Sequence, residues 1–374
     1  MAKRVLFTAT LVRGHIAKFH IPYLKWFKEQ GWETWVAAKN DYPDGKCEIP
    51  YCDQYIDIDF ARSPFSKQTL TAYKQLRNLF QDNNFDLVHT HTPVGSVLTR
   101  FAARQVRKIG TEVIYTAHGF HFFKGAPIAN WILWYPVEKV MSRFTDTVIT
   151  INDEDFKRAS SKFHCDVKYV PGVGVDVEAL ARRSSENDSR KEFGFPDDSK
   201  LLLCVGDLIK RKNHQLVINS LQYLDEKYCL AICGDGPEQE NLVSLANSLG
   251  VLNRVRFLGF RRDVPEIMHQ ADLLVFPSIH EGLPVSVLEA MSCNLPVLAS
   301  NIRGIFPDLI NDSETGYIIK DCNSESLAKQ IIDIVSDKEE LAAVSIRAKE
   351  RVSRFDIARV IDEVSKIYLS CGEE

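Results

Sequence analysis

Short apolar runs alternate along this chain with longer stretches in which apolar residues recur every three or four positions. The runs suit strands covered on both faces, and the stretches between them suit helices. The clearest unit is at 273–299. Leu273–Phe276 reads as a buried strand, and Pro277 and Ser278 stop it. His280–Leu283 forms a small loop, and Pro284 opens a helix with Val285, Leu288 and Met291 at helical spacing. Proline is tolerated there because the first helical N–H has no partner to lose. Asn294-Leu-Pro ends the helix, and Val297–Ala299 is the next strand, completing a βαβ unit.

The same reading runs in both directions. Strands are expected at 4–10, 33–38, 54–59, 85–91, 112–117 and 147–152, with helices at 16–30, 70–81, 97–108, 127–143 and 153–163. Pro22 lies inside the first helix, which must begin or kink there. Lys168–Asp176 is a turn-rich crossing, and 178–200 is a polar surface helix and loop that includes Ser184–Ser189. Strands at 200–206, 230–233 and 255–259 then alternate with helices at 215–224, 238–249 and 263–270. After 273–299 come a hairpin-like Gly316–Ile319, helices at 324–335 and 338–354, and an amphipathic segment at 355–368. Six or seven βα units, a junction near 170–180 and about six more units make an α/β protein of two doubly wound parallel-sheet domains facing a cleft.

Composition narrows the class. A chain of 374 residues accommodates two domains, and 45% hydrophobic with 26% charged residues is ordinary for a globular protein. No run of about 20 apolar residues exists, and a cytoplasmic protein without a signal peptide is expected. Nine cysteines without CxxC pairs read as reduced thiols, with no zinc or iron–sulfur motif. Residues 1–180 hold 23 Lys+Arg against 19 Asp+Glu, and the remainder 23 against 31. A basic first half suits contact with anionic lipid, chance being the competing explanation.

Candidate chemistry gathers at strand ends, where open α/β sheets bind ligands. After strand one only Gly14 is present where a dinucleotide fold wants GxGxxG, which argues against a dehydrogenase. Lys210-Arg211-Lys212 follows a buried strand and precedes a helix, a position suited to a diphosphate. Glu281 stands before the helix opened by Pro284, and Glu289 lies inside it, roughly 8 Å further along by helical rise. Each carboxylate alone could be a dipole cap or a solvated residue. His91 ends one strand, and Arg100, Arg104 and Arg107 or Lys108 share a helix face that is either solvated or turned to a membrane. His118–Gly125 brings together two His, three Phe and Lys124, ahead of a helix with Trp131, Trp134 and Tyr135. That helix either buries itself on the sheet or builds, with the aromatics of 120–136, an acceptor site lying partly on a membrane.

The stretch Glu281-Gly-Leu-Pro-Val-Ser-Val-Leu-Glu289, after Phe-Pro-Ser and before Pro-Val-Leu-Ala-Ser, resembles the E-x7-E motif of the retaining GT-B glycosyltransferases of family 4. Tyr115-Thr-Ala-His-Gly-Phe-His-Phe-Phe-Lys-Gly-Ala-Pro127 resembles their bacterial capsule and exopolysaccharide (CapM-like) branch. The resemblance spans nearly the whole chain. It implies an acceptor domain at 1–175, a nucleotide-sugar domain at 176–354, and a last helix, 355–374, packing back on the first domain, with the hinge near Asp176. It implies a donor site of Gly14, Arg211, Lys212, Phe260, Arg261, Glu281, Gly282, Leu283 and Glu289. Glu281, His91 and Lys212 would act in catalysis, and His118, His121, Lys124 and Trp131 would meet the acceptor. Asp207 occupies the usual Arg position of the basic loop, Lys212 fits the Lys position, and Arg211 stands in for the missing Arg. No metal or other cofactor is implied, since cations and a helix dipole can hold the leaving group. The activity implied is transfer of a hexose or N-acetylhexosamine from a UDP-sugar to a polyprenyl-diphosphate-linked saccharide in surface polysaccharide synthesis. Peripheral contact with the inner membrane is a further implied partner, and nucleic acid is not. A GT-B nucleotide-sugar 2-epimerase and a non-catalytic sugar-nucleotide-binding subunit are the alternatives.

Overall fold

The computed structural model describes residues 2–61, 63, 66–183 and 189–370. The chain divides into one unit of Met1–Val173 with Val360–Glu374, and a second of Gly174–Arg359.

The first unit is built on seven parallel strands: β1 (Arg4–Leu11), β2 (Glu33–Lys39), β3 (Gln54–Asp57), β4 (Leu87–His91), β5 (Glu112–Ala117), β6 (Thr147–Thr150) and β7 (Asp166–Tyr169). Their order is β3-β2-β1-β4-β5-β6-β7, so the chain reverses direction across the sheet between β1 and β4. Alternate residues of β1 feed opposite faces, as a pleated strand requires. Val5 and Phe7 enter a core with Leu24, Phe27, Val36, Val360, Val364 and Tyr368, while Leu6 joins Ala37, Leu76, Phe80 and Val113 on the other side. Helix Ile357–Ser370 therefore supplies one wall of the first unit's core.

The second unit carries six parallel strands: β8 (Lys200–Val205), β9 (Tyr228–Cys233), β10 (Val255–Gly259), β11 (Leu273–Phe276), β12 (Val297–Ala299) and β13 (Tyr317–Ile318). Their order is β10-β9-β8-β11-β12-β13, with the reversal between β8 and β11. The four residues of β11 are all buried, which explains the unbroken apolar run in the sequence.

Several local expectations change. The helix expected at 16–30 is broken: Val12–Ile16 is a single wide turn, Ala17–Phe19 a short helix, and Ile21–Glu29 a new helix with Pro22 in its first turn. Tyr317–Ile318 is not half of a hairpin but a parallel edge strand beside β12. A strand, β7, occupies the start of what reads as a turn-rich crossing. Arg100 leaves the expected basic face altogether. It is fully buried, donates to Glu138 Oε2 at 2.8 Å, and lies 4.1 Å over the ring of Tyr115. Within the polar tract 178–200, helix Val177–Arg182 is present, and residues 184–188 lie outside the described residues. No helix among the described residues is long and apolar enough to cross a membrane.

Candidate active site

In the second unit the carboxyl ends of β8 and β11 bring Arg211, Lys212 and Glu281 together. The Glu281 carboxylate pairs with the Arg211 guanidinium and, at 2.8 Å, with the Lys212 ammonium. Arg211 also donates to the carbonyl of His280 at 2.9 Å, and Ile279 N–H returns a bond to the Arg211 carbonyl. The basic loop and the acidic loop are thus one assembly. Lys212 reaches it by lying over Gly206, where any Cβ would come within 3.0 Å of the lysine chain, and its ammonium sits 4.8 Å from the ring of Phe276. Two cations against one carboxylate leave this group with a net positive charge beside the start of helix Val285–Ser292, a setting that favours an anion.

Glu289 lies in that helix and is largely shielded by protein. Burial raises its pKa to about 7, against the pull of Arg183. Gly282 and Leu283 form the turn between the two glutamates. Gly304 holds that turn in place: it has φ +75, and a Cβ there would fall 2.0 Å from the Gly282 carbonyl oxygen. Its neighbour Arg303 donates to the Glu281 carbonyl at 3.0 Å. Neither residue is singled out by the sequence reading, although an Arg-Gly pair just past β12 was available as a signal. Phe260 follows β10 and is 62% exposed. Arg261 is drawn aside by Asp263 and Glu192, which raise its pKa.

In the first unit, Gly14, His15, Thr10, Thr92, His121 and Trp134 line a cavity of about 270 Å³. The loop holding Gly14 is fixed by Asp41, which accepts from the backbone N–H groups of Arg13 and Gly14. Thr92 adopts φ +63 at the end of β4, and its Oγ1 bonds to Thr10 Oγ1 at 2.7 Å. His121 stacks on Trp134 with centroids 4.7 Å apart. Lys124 is exposed, its N–H bonded to Glu154. Trp131 turns inward against Phe122 and Tyr135, with Arg158 4.6 Å over its ring. The apolar side chains that face outward from this helix are instead Ile128 and Ile132, 76% and 72% exposed, with Leu133 and Val140 exposed to a lesser extent.

His91 is only 1% exposed and is walled in by other rings, stacked at 3.7 Å on His20 and at 6.0 Å on Phe7. Its ring is almost wholly covered by protein. His15 and His118 are partly open, and His118 Nε2 lies 3.3 Å from His91 Nδ1. Burial holds His118 down to about 4, and it holds His15, His20 and His91 well below their ordinary value, with the neighbouring imidazoles adding to the effect.

Two family models match the chain: "Glycosyl transferase 4-like" over residues 4–152 and "Glycosyl transferases group 1" over residues 185–351. The protein named "Putative glycosyltransferase EpsD" from Bacillus subtilis (strain 168) is 40% identical over 98% of this chain and 97% of its own length. The chain belongs to the GT4-like glycosyltransferases of GT-B fold. Another relative is the Escherichia coli UDP-Gal:alpha-D-GlcNAc-diphosphoundecaprenol alpha-1,3-galactosyltransferase, 27% identical over 81% of this chain and 79% of its own. Among solved structures, Anabaena Alr3699/HepE in complex with UDP and glucose matches with a TM-score of 0.81 over 98% of this chain and 100% of that one, at 21% identity. For this GT4-like chain, the two family models fall on the two sheets, and the glutamate pair and basic loop lie inside the group 1 match.

Proposed function

We propose that this glycosyltransferase moves a hexose or N-acetylhexosamine from a UDP-sugar to a polyprenyl-diphosphate-linked saccharide, with retention of configuration, in surface polysaccharide synthesis. The observation that carries the reading is the Arg211–Glu281–Lys212 assembly at a helix start, a positive site ready for a diphosphate. The relatives support its finer parts. One printed activity pairs a UDP-sugar with a diphosphoundecaprenol-linked acceptor, and a GT-B neighbour is solved with UDP and glucose.

The region 176–354 holds the donor in this reading and the region 1–175 the acceptor, with the segment 355–374 serving the acceptor region. Arg211 and Lys212 neutralise the diphosphate, and the N–H groups of Gly282 and Leu283 meet charge as it grows on the departing oxygen. Glu289 accepts from the ribose hydroxyls, and Phe260 and Arg261 flank the base through their backbone. Once the diphosphate occupies the cations, the Glu281 carboxylate is released toward the sugar hydroxyls. The bond from the anomeric carbon to the phosphate oxygen breaks with its electron pair going to phosphate. The acceptor oxygen attacks from the same face and gives its proton to that departing oxygen. No step requires a metal. His118, His121, Lys124 and Trp131 serve the acceptor side, Gly14 lies on the loop that approaches the donor diphosphate, and His91 acts by positioning His118.

The outward Ile128 and Ile132 suit an acceptor presented at a bilayer surface, and we place the enzyme at the cytoplasmic face of the membrane. The test is release of nucleoside diphosphate from UDP-, GDP- and ADP-sugars, with and without an undecaprenyl-diphosphate-linked saccharide. UDP release that depends on that acceptor is expected. A new sugar isomer from donor alone would mean epimerase, and binding without turnover would mean a non-catalytic subunit.

A further inference from the structure

The sequence carries three histidine pairs at short spacing, His15 and His20, His89 and His91, and His118 and His121, and none is by itself a metal site. The fold nevertheless brings His15, His20, His91 and His118 together, with one ring nitrogen of each within 4.8 Å of the others. They come from three neighbouring strands of one sheet. His15 and His20 follow β1, His91 ends β4, and His118 follows β5. We propose that these four side chains form a site for a divalent transition-metal ion, Zn²⁺, that ties the loop after β1 to the ends of β4 and β5.

Three independent features support it. The first is spacing. Ligands about 2.05 Å from a tetrahedral zinc are about 3.4 Å from one another, and His118 Nε2 and His91 Nδ1 already stand at 3.3 Å. Modest rotation of His15 and His20, whose ring centroids lie 4.9 Å apart, closes the rest.

The second is the state of the nitrogens. Four of them, His15 Nε2, both nitrogens of His20, and His91 Nε2, are buried without a hydrogen-bond partner. Buried polar atoms normally find one. A cation takes one lone pair from each ring, which hydrogen bonds among four neutral imidazoles cannot do, because each such bond uses a donor that the cluster has few ways to place. His89 shows the ordinary alternative a few ångströms away. Its Nδ1 meets the Tyr368 hydroxyl at 2.7 Å and its Nε2 meets Thr116 Oγ1 at 2.8 Å, so both nitrogens are occupied and it stands outside the group.

The third is room. His20, His91 and His118 border a closed-in cavity of about 20 Å³, enough for one ion or one water and little more. The rings are neutral near pH 7, which is the form that binds a metal. An all-nitrogen set selects zinc-like ions over magnesium or calcium, which take oxygen ligands. Four protein ligands fill a tetrahedral shell and leave no position for substrate, so the ion is structural and the transfer chemistry proposed above does not use it. Its effect is on the loop that carries Gly14, and a bound imidazole of His118 still has a second N–H to offer outward.

The experiment uses the full-length chain. After purification it is dialysed against chelator, then titrated with Zn²⁺ in competition with a chromogenic chelator, and separately with Co²⁺ followed by visible absorption. One Zn²⁺ per chain and the intense bands of tetrahedral Co²⁺ are expected. His20→Ala should weaken Zn²⁺ by more than about tenfold, and His269→Ala, in the other unit, should leave it unchanged. Zn²⁺ should also raise the melting temperature of the wild-type chain where Mg²⁺ does not, a readout that stands even if His20→Ala folds poorly. No uptake by the wild-type chain, the weak spectrum of six-coordinate Co²⁺, or equal uptake by a folded His20→Ala variant would each overturn the proposal; a water in the cavity would give the first of these.

Discussion

At the scale of single residues, Arg211, Lys212 and Glu281, which the structure brings together, were readable in the sequence because they lie in loops at strand ends and within a stretch that resembles a family motif. Arg303 and Gly304 were not, because their roles are a backbone contact and a close approach, and neither leaves a periodic signature. His20 was missed for a related reason: His91 and His118 are 71 and 98 residues away, and His20 itself falls where the pattern draws one continuous helix. Lys212→Ala and Glu281→Ala should each lower turnover by at least about 10²-fold, the scale of losing an electrostatic contact to the transition state, measured as UDP release at saturating donor. Turnover unchanged in either would remove that residue from the mechanism. Glu289 carries a pH signature. Its folded pKa, about 7, is above the ordinary value of 4.5. The folded state therefore binds the proton more tightly, and the stability this confers is complete below about pH 4.5 and lost as pH rises through about 7. Two and a half pH units correspond to about 3 kcal/mol. The melting temperature of wild type relative to Glu289→Gln should fall across that window, and a difference that stays flat with pH would show the carboxylate to be solvated.

At the scale of elements, the strands were the most legible part. β8 and β11 are buried on both faces and almost wholly apolar, and β1, β4 and β5 are mainly apolar with Thr and His placed among them, so such short runs have few other readings. Helices were legible where one stripe is apolar, as in Gln68–Asp82, and less so where burial is not by apolar residues. Helix Pro93–Ala103 is the instructive case. Arg100 sits on its buried face because Glu138, on helix Ile128–Met141, waits for it, and a pattern that scores charge as exposed cannot anticipate a partner 38 residues away. A buried pair of this kind is costly to break and cheap to replace. Arg100→Ala or Glu138→Ala should each destabilise the fold by about 3–5 kcal/mol. The double change Arg100→Met with Glu138→Leu should recover most of that. Urea unfolding of the three variants tests it, and a double variant as weak as either single one would mean that the ion pair specifies the packing of the two helices rather than merely filling space.

At the scale of the whole molecule, the two-sheet architecture followed from counting βα units, since a strand and helix in alternation can pack only as a parallel sheet with helices on both faces. What counting could not supply was the owner of the last helix. Ile357–Ser370 is amphipathic, and amphipathicity says that a face will be buried without saying against what. Its buried residues, Val360, Val364, Ile367 and Tyr368, share a core with Val5, Phe7 and Phe27, so the two ends of the chain complete one domain. Tyr368 adds the hydroxyl that occupies His89. Burying each large apolar side chain contributes about 1.5–3 kcal/mol. Four of them together rival the net stability of a typical domain, about 5–15 kcal/mol. A chain ending at Arg359 should therefore lose the first unit's fold while the second unit, Gly174–Arg359, keeps its own. Hydrogen exchange read peptide by peptide is the measurement. Amides of β1, β4 and β5 should exchange freely in the shortened chain, and those of β8, β9 and β11 should stay protected. Protection of β1 at its full-length level would mean that the helix decorates the first domain without helping to hold it together.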